Sequence, residues 1–352
     1  MKKSKFILYL ILFVCFSTIK AETHPMWSKE KSNNWYAKQG WVVGCNFVPS
    51  SAINQLEMWQ SDTFDPKTIA KELGWAKDLG FNCMRVFLHS LAWQSDPVGF
   101  KKRINEYLAI SSKLNIKTSF VFFDDCWNPE ALVGKQPEPK PGVHNSGWIQ
   151  DPIVSNRADT IALYKKMELY VKDILTTYKN DDRIIMWDLY NEPGNSKHFS
   201  SSLPLLKKVF QWAREVNPSQ PLTSGIWMLD FYDLNKFQLE NSDVITYHCY
   251  HNVERHQDWI HMVNAYRRPV ICTEWMGRRS ESTFEKVMPM LKKQNIGAFS
   301  WGFVAGKTNT IFAWDDPRPD GKEPLLWFHE ILRIDGTPYS LKEVEVIKSL
   351  TK

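Results

Sequence analysis

Residues 184–192 read Ile-Ile-Met-Trp-Asp-Leu-Tyr-Asn-Glu, an apolar run that closes on two polar groups. A mostly apolar run without strict alternation describes a strand buried on both faces, as in a parallel sheet flanked by helices. A carboxylate at the end of such a strand is costly to desolvate, so packing alone does not account for Glu192. A second run ends the same way, Pro269-Val270-Ile271-Cys272-Thr273-Glu274-Trp275.

Working outward, β-branched or aromatic runs recur at 41–48, 82–88, 117–123, 184–191, 221–227, 243–249, 269–274 and 296–302. Helical spacing recurs between them at 65–79, 100–114, 157–179, 202–216, 254–266 and 282–294. In the first of these, Ile69, Leu73, Ala76 and Leu79 follow a cap-like Asp65-Pro66. Strand and helix alternating eight times predict an α/β fold, a (β/α)8 TIM barrel, as a single domain over 22–352. The stretch 124–156, rich in Pro and Gly, is predicted as a long loop over the C-terminal mouth of the barrel.

Residues 1–21 stand apart: Lys2, Lys3 and Lys5 precede an apolar run from Phe6 to Phe16 and a small Ala21. This reads as a secretory signal peptide, which implies a secreted or periplasmic protein with no transmembrane segment in the mature chain. Cys15 lacks the small neighbours of a lipoprotein anchor. Without this segment, which holds four lysines and no acids, the formal charge falls from +5 to +1. A nearly neutral protein argues against nucleic acid as a partner. The remaining cysteines, 45, 83, 126, 249 and 272, lie in or just after apolar runs and are expected as free thiols. No cofactor or metal is expected; Asp124-Asp125 lacks the alternating spacing of a calcium loop.

In a barrel, chemistry gathers at the C-terminal strand ends. Read in order, these offer Asn46, Arg85 with His89, Asp124, Asp125 and Trp127, Asn191 with Glu192, Trp227, His248 with Tyr250, Glu274, and Trp301. Carboxyls facing each other among flat aromatic rings suit cleavage of a bond between sugars, with one protonating the leaving oxygen and the other attacking or activating water. Glu192 is the expected acid/base and Glu274 the expected nucleophile. Arg85, inside an otherwise apolar strand, needs an anion and is paired with Glu274, which it would keep ionised. A more apolar setting would keep Glu192 protonated. Asn191 would donate to a sugar 2-hydroxyl, Tyr250 or His248 would orient the nucleophile, and Trp301 would form a platform under the sugar. Of Asp124 and Asp125, at most one is expected to face the pocket and grip sugar hydroxyls, because neighbours on a strand point to opposite sides. His144, Asn145 and Trp148 either line a subsite or brace the loop. The loops 124–156 and 305–314 are expected to make a blind-ended pocket near Trp314.

The chain resembles the retaining glycoside hydrolases of the clan with catalytic glutamates after strands four and seven, close to the cellulase-like family 5. Asn191-Glu192-Pro193 matches the acid/base signature and Cys272-Thr273-Glu274-Trp275 the nucleophile strand, over roughly residues 41–335. The resemblance implies a covalent glycosyl-enzyme and a β-linked oligo- or polysaccharide as substrate. Phe123-Asp124-Asp125-Cys126-Trp127 departs from it, since many family 5 enzymes carry a histidine after strand three. Two other readings are a transglycosylase using the same intermediate and a non-catalytic carbohydrate-binding barrel.

Overall fold

The computed structural model describes residues 24–352; the segment 1–21, read as a signal peptide, lies outside the described residues. The strands are β1 (Val43–Asn46), β2 (Cys83–Phe87), β3 (Lys117–Asp124), β4 (Ile184–Asn191), β5 (Leu222–Thr223), β6 (Ile245–His248), β7 (Val270–Trp275) and β8 (Gly297–Ser300). All pair in parallel, in the order β5-β4-β3-β2-β1-β8-β7-β6. The remaining seam is bridged where Ile226, just beyond β5, pairs with Tyr247 of β6. The sheet is thereby a TIM barrel, as predicted.

The helices are α1 (Lys29–Ala37), α2 (Gln55–Trp59), α3 (Pro66–Asp78), α4 (Ser90–Ser95), α5 (Pro97–Lys113), α6 (Thr160–Thr177), α7 (Leu203–Val216), α8 (Tyr232–Asn241), α9 (Val253–Asn264), α10 (Met288–Lys293) and α11 (Leu341–Thr351). Their starts follow from capping chemistry: Asp65, Asp96, Asp159, Asn252 and Ser340 each accept a backbone N–H of the first turn. None of the helices is long and apolar enough to cross a membrane among the described residues. Inside the barrel, Val42, Cys83, Ile185, Met186, Val244, Ile271 and Phe299 pack with Tyr36 of α1. That apolar plug leaves the opposite, C-terminal mouth for polar groups. The five cysteines among the described residues are free and buried.

Two elements fall furthest short of the length their sequence suggests. β5 leaves the ladder after Thr223, because Ser224 Oγ donates to Tyr190 O (2.8 Å) and Gln238 Nε2 donates to Gly225 O (2.7 Å). Side chains there replace strand pairing. The helix expected over 282–294 is limited to α10, whose first turn holds Pro289; a residue without N–H favours a helix start over a helix interior.

Candidate active site

Glu192 follows β4 in a turn that holds it at φ +43° and Gly194 at φ +93°. A non-glycine residue in left-handed backbone is uncommon and concentrates at functional turns. Here the turn is fixed from behind, with Gly194 N donating to Asp125 Oδ2 (2.8 Å). Glu274 sits within β7 opposite His248, where the β6–β7 register shifts.

Arg85 joins the two strand ends from the barrel interior. It is fully buried and uses all five donors. Nε and Nη2 donate to Asp188 Oδ2 (3.0 and 2.8 Å), Nη2 also to Asn191 Oδ1 (2.7 Å), and Nη1 to Asn46 Oδ1 and Glu274 Oε1 (both 2.7 Å). Burial disfavours its charge, but Asp188 and Glu274 more than offset this and raise its pKa. The other Glu274 oxygen accepts from the Tyr250 hydroxyl (2.7 Å). Each Glu274 oxygen thus faces a donor, the pattern of an ionised carboxylate.

Glu192 has no cation in contact. Its Oε2 accepts from Asn195 Nδ2 (2.6 Å) and lies 3.2 Å from Cys126 Sγ, while Oε1 lies 2.8 Å from His248 Nδ1. Burial pushes His248 down to about 4, so it is neutral near pH 7. The same Nδ1 is 3.6 Å from Glu274 Oε2, so one imidazole spans both glutamates. Burial pushes Glu192 above the ordinary carboxylate range, against the Cys126 and Asn195 donors. It raises Glu274 too, although His248 and Arg85 pull that group down. Arg85 contacts Glu274 as the sequence reading expected and lowers its pKa, but desolvation outweighs the guanidinium.

One oxygen of Glu192, one of Glu274 and a His248 nitrogen lie within 4.8 Å of one another. That trio has the donor types of a cation site, yet Arg85 and Tyr250 already occupy the Glu274 oxygens and the guanidinium would repel a metal.

Above the glutamates lies a cavity of about 300 Å³. Trp127, His144, Trp148, Trp227, Trp301 and Trp314 line it together with Asn145, Asn191, Asn195, Met228, Tyr250 and His329. The volume lies at the lower end for small-molecule sites, and the lining of apolar faces with convergent polar groups is typical of them.

Asp124 and Asp125 do not line it. Asp124 accepts from Cys126 N (2.8 Å), Asn191 Nδ2 (2.9 Å) and Trp148 Nε1 (2.7 Å), and burial pushes it up to about 8. Asp125 accepts from Arg157 Nη2 (2.6 Å) and the Tyr190 hydroxyl (2.8 Å) on the far side of β4. The expectation that one of them grips sugar is therefore corrected. They do point apart, but the inward one is consumed by positioning Asn191 and Trp148.

Sequence reading missed Asp188, Cys126, Asn195 and His329. Asp188 carried a signal: five guanidinium donors need more than one acceptor, and it is the other charge in an apolar strand. Cys126 read only as a buried thiol. His329, fully buried with Nδ1 on Met276 O (2.5 Å), comes from a long segment after β8 that has no regular pattern.

Comparison with known proteins agrees with this fold. A family model described as "Glycosyl hydrolases family 2, TIM barrel domain" matches residues 143–311, a span that includes both glutamates. No curated protein sequence matches the chain. Among solved structures, it is similar to a GH5_18 enzyme from Streptomyces cattleya in complex with Manβ1-4GlcNAc, at 11% identity and TM-score 0.61 over 88% of this chain and 79% of that one. It is similar to the endo-1,4-β-D-mannanase of Thermotoga petrophila, at 14% identity and TM-score 0.55 over 88% and 99%. A third is the exo-β-1,4-mannosidase of Opitutaceae bacterium strain TAV5, at 17% identity and TM-score 0.58 over 89% and 60%. The chain has the barrel fold of the glycoside hydrolases.

Proposed function

We propose that this barrel is a retaining β-glycosidase in which Glu274 attacks and Glu192 moves the proton. The observation that carries the reading is that one oxygen of Glu192 and one of Glu274 lie within 4.8 Å of each other. Retaining enzymes hold their carboxyls about 5–5.5 Å apart, whereas inverting enzymes need about 6.5–9.5 Å to admit a water between them. Glu274 Oε attacks the anomeric carbon as Glu192 protonates the departing oxygen, giving a glycosyl ester and an alcohol. Glu192, now ionised, takes a proton from water, which displaces the ester and returns the sugar with its β-configuration. Arg85 and Tyr250 hold the attacking carboxylate in one orientation. Asn191, itself fixed by Arg85 and Asp124, presents its amide to the 2-hydroxyl.

Because the similar structures include a β-1,4-mannanase, a β-1,4-mannosidase and an enzyme holding Manβ1-4GlcNAc, β-mannosides head the substrate panel. The test is hydrolysis of aryl β-mannoside, β-glucoside and β-xyloside with the first product followed by proton NMR. A β-anomer formed first is expected; an α-anomer would refute retention, and no hydrolysis of any member would refute the glycosidase reading. Export rests on residues 1–21 alone, and N-terminal sequencing of the mature protein checks it.

A further inference from the structure

Resting on that reading, we infer that the enzyme is an exo-acting glycosidase, releasing one sugar at a time from the non-reducing end. The acid and the nucleophile give the cavity a direction. Glu192 protonates the leaving oxygen, so the departing portion lies on its side, toward Asn195, Trp227 and the exposed Met228. The sugar that bonds to Glu274 lies on the opposite side, where Trp301, His144 and His329 line the cavity.

That opposite side is walled. The loop after β3 and the loop after β8 meet across it through four hydrogen bonds. Asn145 N donates to Thr308 O (2.8 Å) and Arg318 N to Gly142 O (2.9 Å), while Asn309 Nδ2 donates to Lys140 O (3.0 Å) and His144 Nδ1 contacts Phe312 O (2.9 Å). Gly142 is in left-handed backbone at φ +66°, and a Cβ there would lie 1.7 Å from Arg318 O, so the strands of this strap touch main chain to main chain. Behind it, the space next to Trp301 and Trp148 measures about 30 Å³, enough for a water and too small for a second sugar ring. The wall also presents free polar atoms: Asn145 Oδ1 and His329 Nε2 are buried, line the sugar cavity and have no partner. Unpaired groups of this kind favour a ring whose far hydroxyls are free, and they penalise one substituted there.

The experiment uses the whole protein on mannopentaose, cellopentaose and xylopentaose, each fluorescently labelled at the reducing end, with a 4-nitrophenyl β-bioside whose non-reducing hydroxyls are blocked as an acetal. Labelled product one unit shorter should appear first in the pentaose that is cleaved, and blocking should lower kcat/KM by about 100-fold or more. Early labelled products two or more units shorter, or blocked and free biosides cleaved within about threefold of each other, would overturn exo action while leaving the glycosidase reading intact. Failure on every pentaose and on the aryl panel would instead remove the reading beneath it. Gly142→Val opens the strap outside the reacting groups. A blocked-to-free ratio that rises assigns the wall to these loops, and an unchanged ratio in the folded variant overturns that assignment.

Discussion

The two glutamates are the same residue at the same barrel mouth, Glu274 buried and Glu192 slightly more open, and their contacts differ in charge. Glu274 is held by a guanidinium and a phenol; Glu192 is held by an amide, a thiol and a neutral imidazole. Burial raises both, so desolvation does not separate their roles. The charge of the neighbours does. A carboxylate in contact with Arg85 is stabilised as an anion and suited to attack, whereas one with only neutral neighbours keeps its proton more readily.

The largest effect expected from breaking this contrast is at Glu274. Replacing it with Ala should lower kcat by about 10⁴-fold or more. Azide should restore turnover with an α-glycosyl azide as product, while in Glu192→Ala azide should give the β-azide; the same anomer from both variants would collapse the assignment. Glu192→Gln should cost about 10²–10⁴-fold on glycosides with poor leaving groups. With dinitrophenyl leaving groups, which need no proton, the loss should nearly vanish from the first step, as a pre-steady-state burst would register.

Arg85→Ala leaves Asp188 and Glu274 buried without their cation and should destabilise the fold by about 3–5 kcal/mol, measured by urea denaturation. Asp125→Ala offers the contrasting case. It strips Arg157, Tyr190 and Gly194 N of their acceptor behind β4 and should cost about 2–3 kcal/mol. The loosened Glu192 turn should lower kcat/KM while its pH limits stay in place. A shifted pH profile there would tie Asp125 to the chemistry.

The smallest effect sharpens the contrast at its neutral end. Glu192 must be protonated and Glu274 ionised, so kcat/KM should fall at high pH as Glu192 loses its proton and at low pH as Glu274 gains one. Both limits should lie above the ordinary carboxylate range, because burial raises both groups. The Cys126 thiol contact pulls Glu192 down. Cys126→Ala should therefore move the alkaline limit to higher pH. An unmoved limit would show that the thiol contact does not act on Glu192.

Much of the fold was legible because a parallel barrel repeats its signal. Strands buried on both faces are apolar throughout, and helices announce their starts with Asp-Pro and similar caps. β5 and the helix before β8 were overestimated where side chains, or a proline, replaced regular pairing. α8, whose start at Tyr232 carries no side-chain cap, went unread. Within the site, Glu192, Glu274, Arg85 and Tyr250 stood out as polar groups that an apolar strand end does not explain. Asp124 and Asp125 stood out by the same rule and were assigned the wrong task, since a sequence marks a buried charge without saying what satisfies it.

Sequence alone thus determined the barrel and which carboxylates end its fourth and seventh strands, because burial patterning is a property of neighbouring residues. Only the tertiary structure decided what each carboxylate touches. Arg85 meets Asp188 and Glu274 across 103 and 189 residues, and Cys126 meets Glu192 across 66. Contacts at such separations follow from how the strands close on one another, and they set the protonation of each glutamate and the wall that ends the cavity.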